Sequence, residues 1–235
     1  MRIEIWSDIA CPWCYIGKRR LEAALEGFAH RDAVEVVWRS YQLDPGSPTE
    51  PVETVAAHLG RKYGGGEAAG RQMVDRVEAV AAEEGMVWSH HRSQRVNTLD
   101  AHRLVHLALA EGGPALQGAV KEALFSAYFT EGANVADHGV LRRIVTGAGL
   151  DAARVDEVLA GTALRDEVYA DQERAAAYGA TGVPFFIVAG RYGVSGAQPS
   201  ETFGQLLEKA WRETQPSVEM VSGDAEACGP DGCLS

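Results

Sequence analysis

The sequence has no long apolar run and no excess of positive charge. No stretch approaches the ~18 consecutive apolar residues that a membrane-spanning helix needs, which argues against such a helix. The chain has 22 Lys and Arg against 33 Asp and Glu, a formal net charge of −11. Because nucleic acids and anionic membranes bind basic surfaces, this charge argues against both as partners.

Cysteines are few, and no targeting segment is visible. The four cysteines form two close pairs, unlike the disulfide framework of a small secreted domain. A strand-like pattern begins within residues 1–5 and leaves no room for a signal peptide. We therefore expect a cytoplasmic protein, and in a reducing compartment such cysteine pairs are more often catalytic or metal-binding than structural.

Length and composition fit an ordinary packed protein. With 235 residues, 46% of them hydrophobic, the chain is long enough for one large domain or for a domain that carries a sizeable insertion. The glycine run 64–66 is not followed by Gly-Lys-Ser/Thr, so it is not a phosphate-binding loop. We interpret this run as a hinge between helices.

Cys11 and Cys14 lie where a strand pattern changes to a helical pattern. Ile3 and Ile5 alternate as in a strand, and from Pro12 onward apolar residues recur at helical spacing. Proline is favoured as the first residue of a helix, which places Cys11 at the helix N-terminus, where N–H groups favour a thiolate. Cys14 follows on the same helical face, within reach of a disulfide. The spacing predicts a redox-active dithiol with Cys11 as the nucleophile.

A Cys-x-x-Cys can also be half of a zinc site or two buried structural cysteines. A closed zinc site needs further ligands, and structural cysteines would not explain why both lie at a helix start. His102 and His106 have i, i+4 spacing, but no acidic or cysteine partner accompanies them. We interpret both histidines as packing or solvent-exposed residues, and we predict no metal site and no cofactor.

The order of patterns along the chain suggests two parts. Residues 34–41 form a near-continuous apolar run, so the chain begins as a strand–helix–strand unit. From about 52 to 179 the pattern is almost wholly helical, which predicts an inserted helical subdomain. Strands return at 183–188 and 192–194, and Ser200 can cap a final helix.

Pro184 opens an apolar strand directly after Val183. A proline in a central strand is anomalous unless it starts the strand or has a special peptide geometry. A cis Val183–Pro184 bond would resolve the anomaly and expose the Val183 backbone to a partner. The alternative is a trans proline at the start of an edge strand; beside a redox Cys-x-x-Cys, we favour the cis form.

These motifs together resemble the DsbA family of thioredoxin-fold oxidoreductases and, more narrowly, its FrnE-like branch. The resemblance covers roughly residues 3–213. The matching segments are Asp8 with Cys11-Pro12-Trp13-Cys14-Tyr15-Ile16-Gly17-Lys18, Asn97-Thr98 with Ala101-His102, residues 124–129, residues 182–186 and residues 194–198.

The resemblance implies an α/β thioredoxin fold with a large all-helical insertion. Residues 1–44 and 180–215 would form the discontinuous thioredoxin-fold domain, with a helix at 163–179 leading back into it. Residues 45–162 would be the inserted helical subdomain. Residues 216–235 would be a flexible C-terminal tail with a Cys-x4-Cys motif.

The resemblance also implies a thiol-disulfide oxidoreductase that acts on protein cysteines. Cys11 would form a mixed disulfide with the substrate and Cys14 would resolve it. Pro12, Trp13, Val183 and Pro184 would line the substrate groove, with a cis proline at 184. Glutathione or a thioredoxin-type reductant is a candidate partner.

Trp13 is a departure from periplasmic DsbA proteins, which typically carry histidine there. Since that histidine helps to stabilise the thiolate, Trp13 predicts a less oxidising couple. Related branches use glutathione and carry serine in place of the first cysteine, so Cys11 argues against a glutathione-dependent isomerase or transferase. That activity remains an alternative, as does a redox-sensing holdase or binding module.

Several residues near the dithiol have further candidate roles. Trp6, Trp13 and Tyr15 are candidates for an apolar rim that a polypeptide substrate needs. Asp8 is either a proton acceptor for Cys14 or a support for its loop.

Cys228 and Cys233 lie on either side of Gly-Pro-Asp-Gly, a turn that could bring their thiols together. One interpretation is an auxiliary dithiol that exchanges with Cys11 and Cys14, as FrnE-like proteins with a comparable motif suggest. The others are incidental surface cysteines, a self-contained disulfide and a weak metal site.

Overall fold

The computed structural model describes residues 1–214 and the backbone of 228–229 and 232–233. The chain begins with strand β1 (Arg2–Ser7), helix α1 (Pro12–Glu26) and strand β2 (Glu35–Ser40). Six helices follow: α2 (Val55–Tyr63), α3 (Gly66–Glu83), α4 (Leu99–Ser126), α5 (His138–Gly147), α6 (Ala152–Ala160) and α7 (Arg165–Ala177). Strands β3 (Phe185–Val188) and β4 (Tyr192–Ser195) and helix α8 (Ser200–Thr214) come next.

A four-stranded sheet in the order β2-β1-β3-β4 organises the molecule. Strand β1 runs parallel to β2 and antiparallel to β3, so that Ile5 lies between Trp38 and Phe186. Because helices cover both faces, every residue of β1 except Arg2 is buried. The predicted α/β fold with a large helical insertion is confirmed.

Local sequence signals explain where the inserted helices begin. Thr54 caps α2 by accepting a hydrogen bond from the Ala57 N–H at 3.1 Å, and Asp137 caps α5 in the same way at 2.7 Å. Before α4, the Asn97 side chain accepts from the Leu99 N–H at 2.8 Å. Each cap satisfies an N–H group that the helix itself leaves without a partner.

Helices α2 and α3 form a hairpin in which backbone packs against backbone. A Cβ atom added to Gly60 would lie 1.9 Å from the Gly66 carbonyl oxygen, and one added to Gly70 would lie 1.8 Å from the Ala56 carbonyl oxygen. The glycine run 64–66, with φ values of 86°, 84° and 68°, connects the two helices. Only glycine adopts such angles without strain, so this run gives the hairpin its tight turn.

Helix α4 is long but interrupted. The structure has one element here with a break at Gly113, whose φ and ψ are 65° and −164°. Pro114 follows the break, where its missing N–H removes a helical hydrogen bond. The C-terminal half of α4 packs against β2, where the Gln117 side chain bonds with the Trp38 backbone, and against α1, where Phe125 stacks on Tyr15.

Helices α2 to α6 lie within residues 45–162, but the division of the chain into domains stays a prediction. Within the described part of the chain, no helix combines the length and apolar character needed to cross a membrane. In the predicted tail, Cys228–Gly229 pairs with Gly232–Cys233 as two antiparallel strands. The other tail residues, and all side chains beyond 214, lie outside the described residues.

Candidate active site

Cys11 and Cys14 lie at the start of α1, directly after the carboxyl end of β1. Cys11 is the N-cap residue in an extended conformation, with Pro12 as the first helical residue. The Cys11 N–H donates to the Asp8 carbonyl oxygen at 3.3 Å, and the Cys14 N–H donates to the Cys11 carbonyl oxygen at 3.1 Å. Both thiols are free and buried, with 3% and 1% of each residue exposed.

The loop before β3 brings Val183 and Pro184 to the dithiol. The Val183–Pro184 peptide bond is cis, as the sequence predicts. The Cys11 Sγ lies 3.5 Å from the Val183 carbonyl oxygen. Strand β3 pairs with β1 from Phe185 onward and so fixes this loop beside Cys11. The structure thus brings together Cys11, Cys14, Val183 and Pro184.

A cavity of about 420 Å³ lies beside Cys11, between the sheet domain and the α2–α3 hairpin. Pro12, Trp13 and Val183 contribute to its wall on the dithiol side. The opposite wall is mainly apolar, formed by Val55, Leu59, Met73, Val74 and Val77. Polar side chains on the wall are Asp8, Asp44, Ser47, His58, Lys62, His90, Arg95 and Thr98. Apolar walls with a few polar groups are typical of a ligand-binding site.

Three large apolar side chains lie partly exposed at the mouth of this cavity. Trp13 is 45% exposed and Tyr63 is 64% exposed, and Leu43 is about half exposed. All three line the cavity. Together they form an exposed apolar rim around Cys11, to which α1, the loop after β2 and the end of α2 contribute one residue each.

Trp6 and Tyr15 do not belong to that rim, so this prediction was wrong for both. Trp6 is fully buried on the other face of β1, where it packs against Tyr178 and Phe185. Tyr15 points into the core and stacks on Phe125, with 4.8 Å between the ring centroids. The physical reason is that β1 is a central strand and that α1 lies against the helical insertion, so both aromatic rings are covered.

Asp8 is buried behind Cys11 and forms several hydrogen bonds. Its Oδ2 accepts from the Leu43 N–H at 2.7 Å, and its Oδ1 lies 3.4 Å from His102 Nε2. Burial by itself would raise the pKa of Asp8, but the hydrogen bonds from His102, the Leu43 N–H and Thr98 outweigh burial and lower it. Asp8 is therefore a carboxylate at neutral pH and holds the loop at Leu43.

Lys121, on α4, is a residue that the sequence reasoning missed. Its side chain is fully buried, and its Nζ stands 4.8 Å from the ring centroid of Phe125 and 5.5 Å from that of Trp38. The Nζ has no hydrogen-bond partner within the described part of the chain. Burial lowers the pKa of Lys121 to about 8, while the charges of Cys14 and Asp8 act in the opposite direction.

A signal for Lys121 is present in the sequence. Gln117, Lys121, Leu124 and Tyr128 recur at the i, i+4, i+7, i+11 spacing of a single helical face, and all four are buried. A lysine on an otherwise buried face indicates a functional or paired charge.

The two remaining titratable groups near Lys121 are Cys14 and His102. Burial raises the pKa of the Cys14 thiol well above its usual value, and the neighbouring Cys11 adds to this effect. Burial also lowers the pKa of His102, and Lys121 contributes in the same direction. At neutral pH, Cys14 is thus a protonated thiol and His102 a neutral imidazole.

One group outside this site combines metal-ligating side chains. The ligand atoms of Asp75, Glu78 and His91 lie within 4.8 Å of one another. His91 Nε2 pairs with Asp75 at 2.7 Å, and Glu78 accepts a hydrogen bond from the His90 N–H at 2.5 Å. These contacts fasten α3 to the short turn at residues 90–92, which is sufficient to explain the cluster.

A comparison with known protein families identifies the family of this chain. The model of the DSBA-like thioredoxin domain matches residues 2–208. The chain belongs to this DSBA-like family. The chain is therefore a member of the DsbA-like thiol-disulfide oxidoreductase family. Its Cys-x-x-Cys motif and its thioredoxin fold agree with this assignment.

Individual relatives agree with this assignment. The crystal structure of a probable DsbA oxidoreductase from Streptomyces coelicolor is 48% identical, with a TM-score of 0.85, and the match covers 100% of this chain and 99% of that one. The cytosolic disulfide reductase DsbM from Pseudomonas aeruginosa, solved with GSH, has the same fold at 21% identity and a TM-score of 0.63, covering 90% and 100% of the two chains. The uncharacterized protein YwbO of Bacillus subtilis is 27% identical over 88% of this chain and 96% of its own length.

Proposed function

We propose that this protein exchanges disulfides with protein cysteines through a mixed disulfide at Cys11, which Cys14 resolves. One observation carries the proposal: the Cys11 Sγ lies at a helix N-terminus, 3.5 Å from the Val183 carbonyl oxygen and on the wall of the apolar cavity. Cys14 lies one helical turn further on and deeper in the core.

The exchange proceeds in two displacements at sulfur. In the reducing direction, the Cys11 thiolate attacks a substrate disulfide, forms a Cys11–substrate bond and releases one substrate thiolate. Cys14 then loses its proton and attacks the Cys11 sulfur, which forms the Cys11–Cys14 disulfide and releases the second substrate thiolate. The N–H groups at the start of α1 favour negative charge on Cys11, which is the attacking thiolate of the first step.

The surface around Cys11 supports a polypeptide substrate. The rim of Trp13, Leu43 and Tyr63 offers exposed apolar contacts, and the cavity behind it accommodates an apolar side chain next to the disulfide. Pro12, Val183 and Pro184 lie at the same place and would line the groove. The FrnE-like assignment is part of this proposal and rests on the sequence motifs at 8–18, 182–186 and 194–198.

In this proposal the protein acts in the cytoplasm as a weak oxidant or as a reductant, because it carries Trp13 between its two cysteines. The tryptophan contributes apolar surface where a histidine would stabilise the thiolate. The name of the DsbM protein, a cytosolic disulfide reductase, is consistent with that direction. Titration against glutathione is expected to give a reduction potential well below that of the strong periplasmic oxidants. A potential as high as theirs would contradict this part of the proposal.

Glutathione is the second candidate substrate. The structure of DsbM contains GSH, and the cavity beside Cys11 carries the basic side chains His58, Lys62 and Arg95, which suit carboxylates. Arg95 already pairs with Asp44 at 2.6 Å and His58 with Glu53 at 3.2 Å, so Lys62 is the basic group that remains for a ligand. Glutathione as reductant is compatible with protein substrates, whereas an isomerase or transferase activity would replace them.

Insulin reduction with wild-type protein, Cys11→Ser and Cys14→Ser tests the main proposal. Wild-type protein is expected to accelerate the reaction and Cys11→Ser to abolish it. Activity that survives in Cys11→Ser overturns the proposal, and an inactive wild type favours the redox-sensing binding module. In cell extract, Cys14→Ser is expected to accumulate mixed disulfides, whose mass distinguishes proteins from glutathione.

A further inference from the structure

His90 lies on the wall of the cavity beside Cys11 and has no part in the exchange described so far. It belongs to the short turn at residues 90–92, between α3 and α4, and its ring packs against Phe129 with 4.9 Å between the ring centroids. Only 2% of His90 is exposed, in contrast to the apolar rim at the mouth. His90 therefore lies on the inner wall of the cavity.

Hydrogen bonds around Ser93 determine which nitrogen of His90 carries the proton. Ser93 Oγ lies 2.8 Å from the Tyr128 carbonyl oxygen and 3.0 Å from His90 Nδ1. Because a carbonyl oxygen only accepts, the single hydroxyl proton of Ser93 is donated to Tyr128. Ser93 Oγ then accepts from His90, which places the imidazole proton on Nδ1 and leaves a lone pair on Nε2.

The imidazole of His90 is neutral at physiological pH. Burial lowers the pKa of His90 to about 4, and the neighbouring His91 acts in the same direction. His90 Nε2 is therefore a hydrogen-bond acceptor and carries no proton under ordinary conditions.

His90 Nε2 has no partner in the described part of the chain, and it is open to the cavity. Among residues 1–214, the fully covered histidine nitrogens without a partner are His91 Nδ1 and His102 Nδ1. Since His90 Nε2 also has no partner and is not fully covered, it retains contact with open space. The open space that His90 lines is the cavity beside Cys11.

The other polar side chains of the cavity wall differ from His90 in this respect. Lys62 is unpaired among the described residues, but it is exposed at the end of α2 and thus solvated. The remaining polar side chains of the wall have protein partners; they are Asp8, Asp44, Ser47, His58, Arg95, Thr98 and Tyr128. The inner wall of the cavity thus offers a ligand one buried side-chain acceptor, His90 Nε2.

We propose that His90 selects substrates with a donor-bearing aromatic side chain, tyrosine or tryptophan, next to the reactive cysteine. The inference rests on the proposed function and specifies the side chain that the cavity takes. The aromatic ring packs on the apolar wall formed by Val55, Leu59 and Val74, within a volume of about 420 Å³. Its hydroxyl or indole N–H donates to His90 Nε2. His90 is then a specificity-determining residue.

Other side chains fit this cavity less well. Serine and threonine hydroxyls are too close to the substrate backbone to reach the inner wall. A lysine or arginine would lose its water shell against apolar residues, and the wall carboxylates Asp8 and Asp44 already have partners. Phenylalanine fills the same space as tyrosine but leaves His90 Nε2 without a donor, which costs free energy in a buried place.

Peptides that differ by a single hydroxyl group test this preference. Each peptide has one cysteine, joined through a disulfide to 2-nitro-5-thiobenzoate, with tyrosine, phenylalanine or leucine directly before or directly after that cysteine. The protein carries Cys14→Ser, Cys228→Ser and Cys233→Ser, so that only Cys11 reacts. The Cys11 thiolate bonds to the peptide sulfur, the peptide–thiobenzoate bond breaks, and its electron pair leaves with the coloured thiobenzoate.

The rate of thiobenzoate release at low peptide concentration measures the preference. In at least one of the two positions, the tyrosine peptide is expected to react about tenfold faster than the phenylalanine peptide. The leucine peptide is expected to be no faster than the phenylalanine peptide. Failure of every peptide to react contradicts the proposed function. Reaction at equal rates with tyrosine and phenylalanine in both positions overturns the inference and leaves the proposed function intact.

Two variants of His90 separate ligand binding from a structural role. His90→Asn places an amide N–H near the position of Nδ1 and retains a donor for Ser93, but it removes the Nε2 acceptor. His90→Gln places an amide oxygen near the position of Nε2 and gives up the bond to Ser93. The tyrosine and phenylalanine peptides are expected to react equally fast with His90→Asn, whereas tyrosine stays several-fold faster with His90→Gln.

The ratio of the two peptide rates is compared within one protein sample, so a general loss of stability or reactivity cancels. His91→Asn is the control, because His91 pairs with Asp75 and does not line the cavity, and it is expected to keep the wild-type ratio. A tenfold ratio that persists in His90→Asn overturns the role of Nε2. Loss of the ratio in both His90→Asn and His90→Gln overturns it as well, since the role of His90 would then be structural.

Discussion

Two buried polar clusters adjoin the first two strands, and they differ in how completely their hydrogen bonds are satisfied. The sheet cluster consists of Glu4, Arg39, Ser40, His106 and Asp171. Asp171 accepts from the Ser40 N–H at 2.9 Å and lies 3.1 Å from His106 Nε2, while Glu4 accepts from Arg39 Nε at 2.8 Å. Within the described residues, no buried side-chain nitrogen or oxygen of this cluster lacks a partner.

The thiol cluster consists of Asp8, Cys14, His102 and Lys121. Here both the Lys121 Nζ and the His102 Nδ1 lack a partner among residues 1–214. Both clusters draw side chains from α4 and from the first strand or its loop, so they share a scaffold. The difference teaches that the same scaffold supports a closed polar network that adds stability and an open one that reduces stability.

The largest expected effect comes from opening the sheet cluster. Asp171→Ala leaves the Ser40 N–H and His106 Nε2 without their acidic partner in a buried place. We expect the free energy of unfolding, measured by urea denaturation, to fall by about 3 to 5 kcal/mol. Asp156→Ala is the control, because Asp156 forms an exposed pair with Arg142 and should cost less than about 1 kcal/mol. Similar losses in both variants would mean that the sheet cluster is not a stabilising network.

Removing the unpartnered amine from the thiol cluster should increase the free energy of unfolding. Lys121→Met removes an amine whose pKa is about 8 instead of the ordinary 10.5, and this difference corresponds to roughly 3 kcal/mol in favour of the variant at pH 7. The unfolded wild type binds more protons than the folded protein between pH 8 and 10.5, so wild-type stability rises with pH in that window. The variant should lack this rise. A Lys121→Met variant that is less stable than the wild type at pH 7 contradicts the lowered pKa of Lys121.

Removing a negative charge from the thiol cluster should mainly change the pKa of Lys121. Asp8→Asn keeps the acceptor for the Leu43 N–H but removes the negative charge that raises the pKa of Lys121. The pH at which the free energy of unfolding begins to rise, which marks the midpoint of the Lys121 titration in the folded protein, should therefore move down by about one unit. Asp44→Asn, which removes a carboxylate paired with Arg95 on the cavity wall, should leave the midpoint in place.

The smallest expected effect is the loss of a single hydrogen bond in the sheet cluster. Ser40→Ala removes the Ser40 Oγ contact to His106 Nε2, which measures 3.0 Å, while Asp171 remains as a partner of His106. We expect a loss of about 1 kcal/mol in unfolding free energy and no change in the pH at which that free energy begins to rise. A shift of that pH in Ser40→Ala would show that the two clusters are coupled.

The sequence was sufficient for the parts of the fold that depend on local patterns. The strand–helix start with Cys11 and Cys14, the helical insertion and the return to strands at Pro184 follow from periodicity, capping and proline chemistry. These signals act over a few residues, so they are readable without tertiary contacts. The DSBA-like family is confirmed on the same motifs.

The parts that sequence reasoning missed depend on contacts between distant elements. The alternation of residues along β1 does not reveal whether Trp6 is exposed. The pairing of β1 with both β2 and β3 buries it. Lys121 reaches the ring of Trp38 only because α4 packs against β2, which lies far away along the chain. The rim residues Leu43 and Tyr63 come from loops and helix ends whose approach to Cys11 no local pattern encodes.

The contact between Cys11 and Val183 has a consequence for synthesis of the protein. The two residues are 172 positions apart, so the groove that presents a substrate to Cys11 does not exist until nearly the whole chain has been made. At translation rates of about 5 to 20 residues per second, that interval lasts roughly 10 to 30 s. During this time Cys11 and Cys14 are present on the nascent chain without their groove, and substrate recognition begins only when the second half of the chain has emerged from the ribosome.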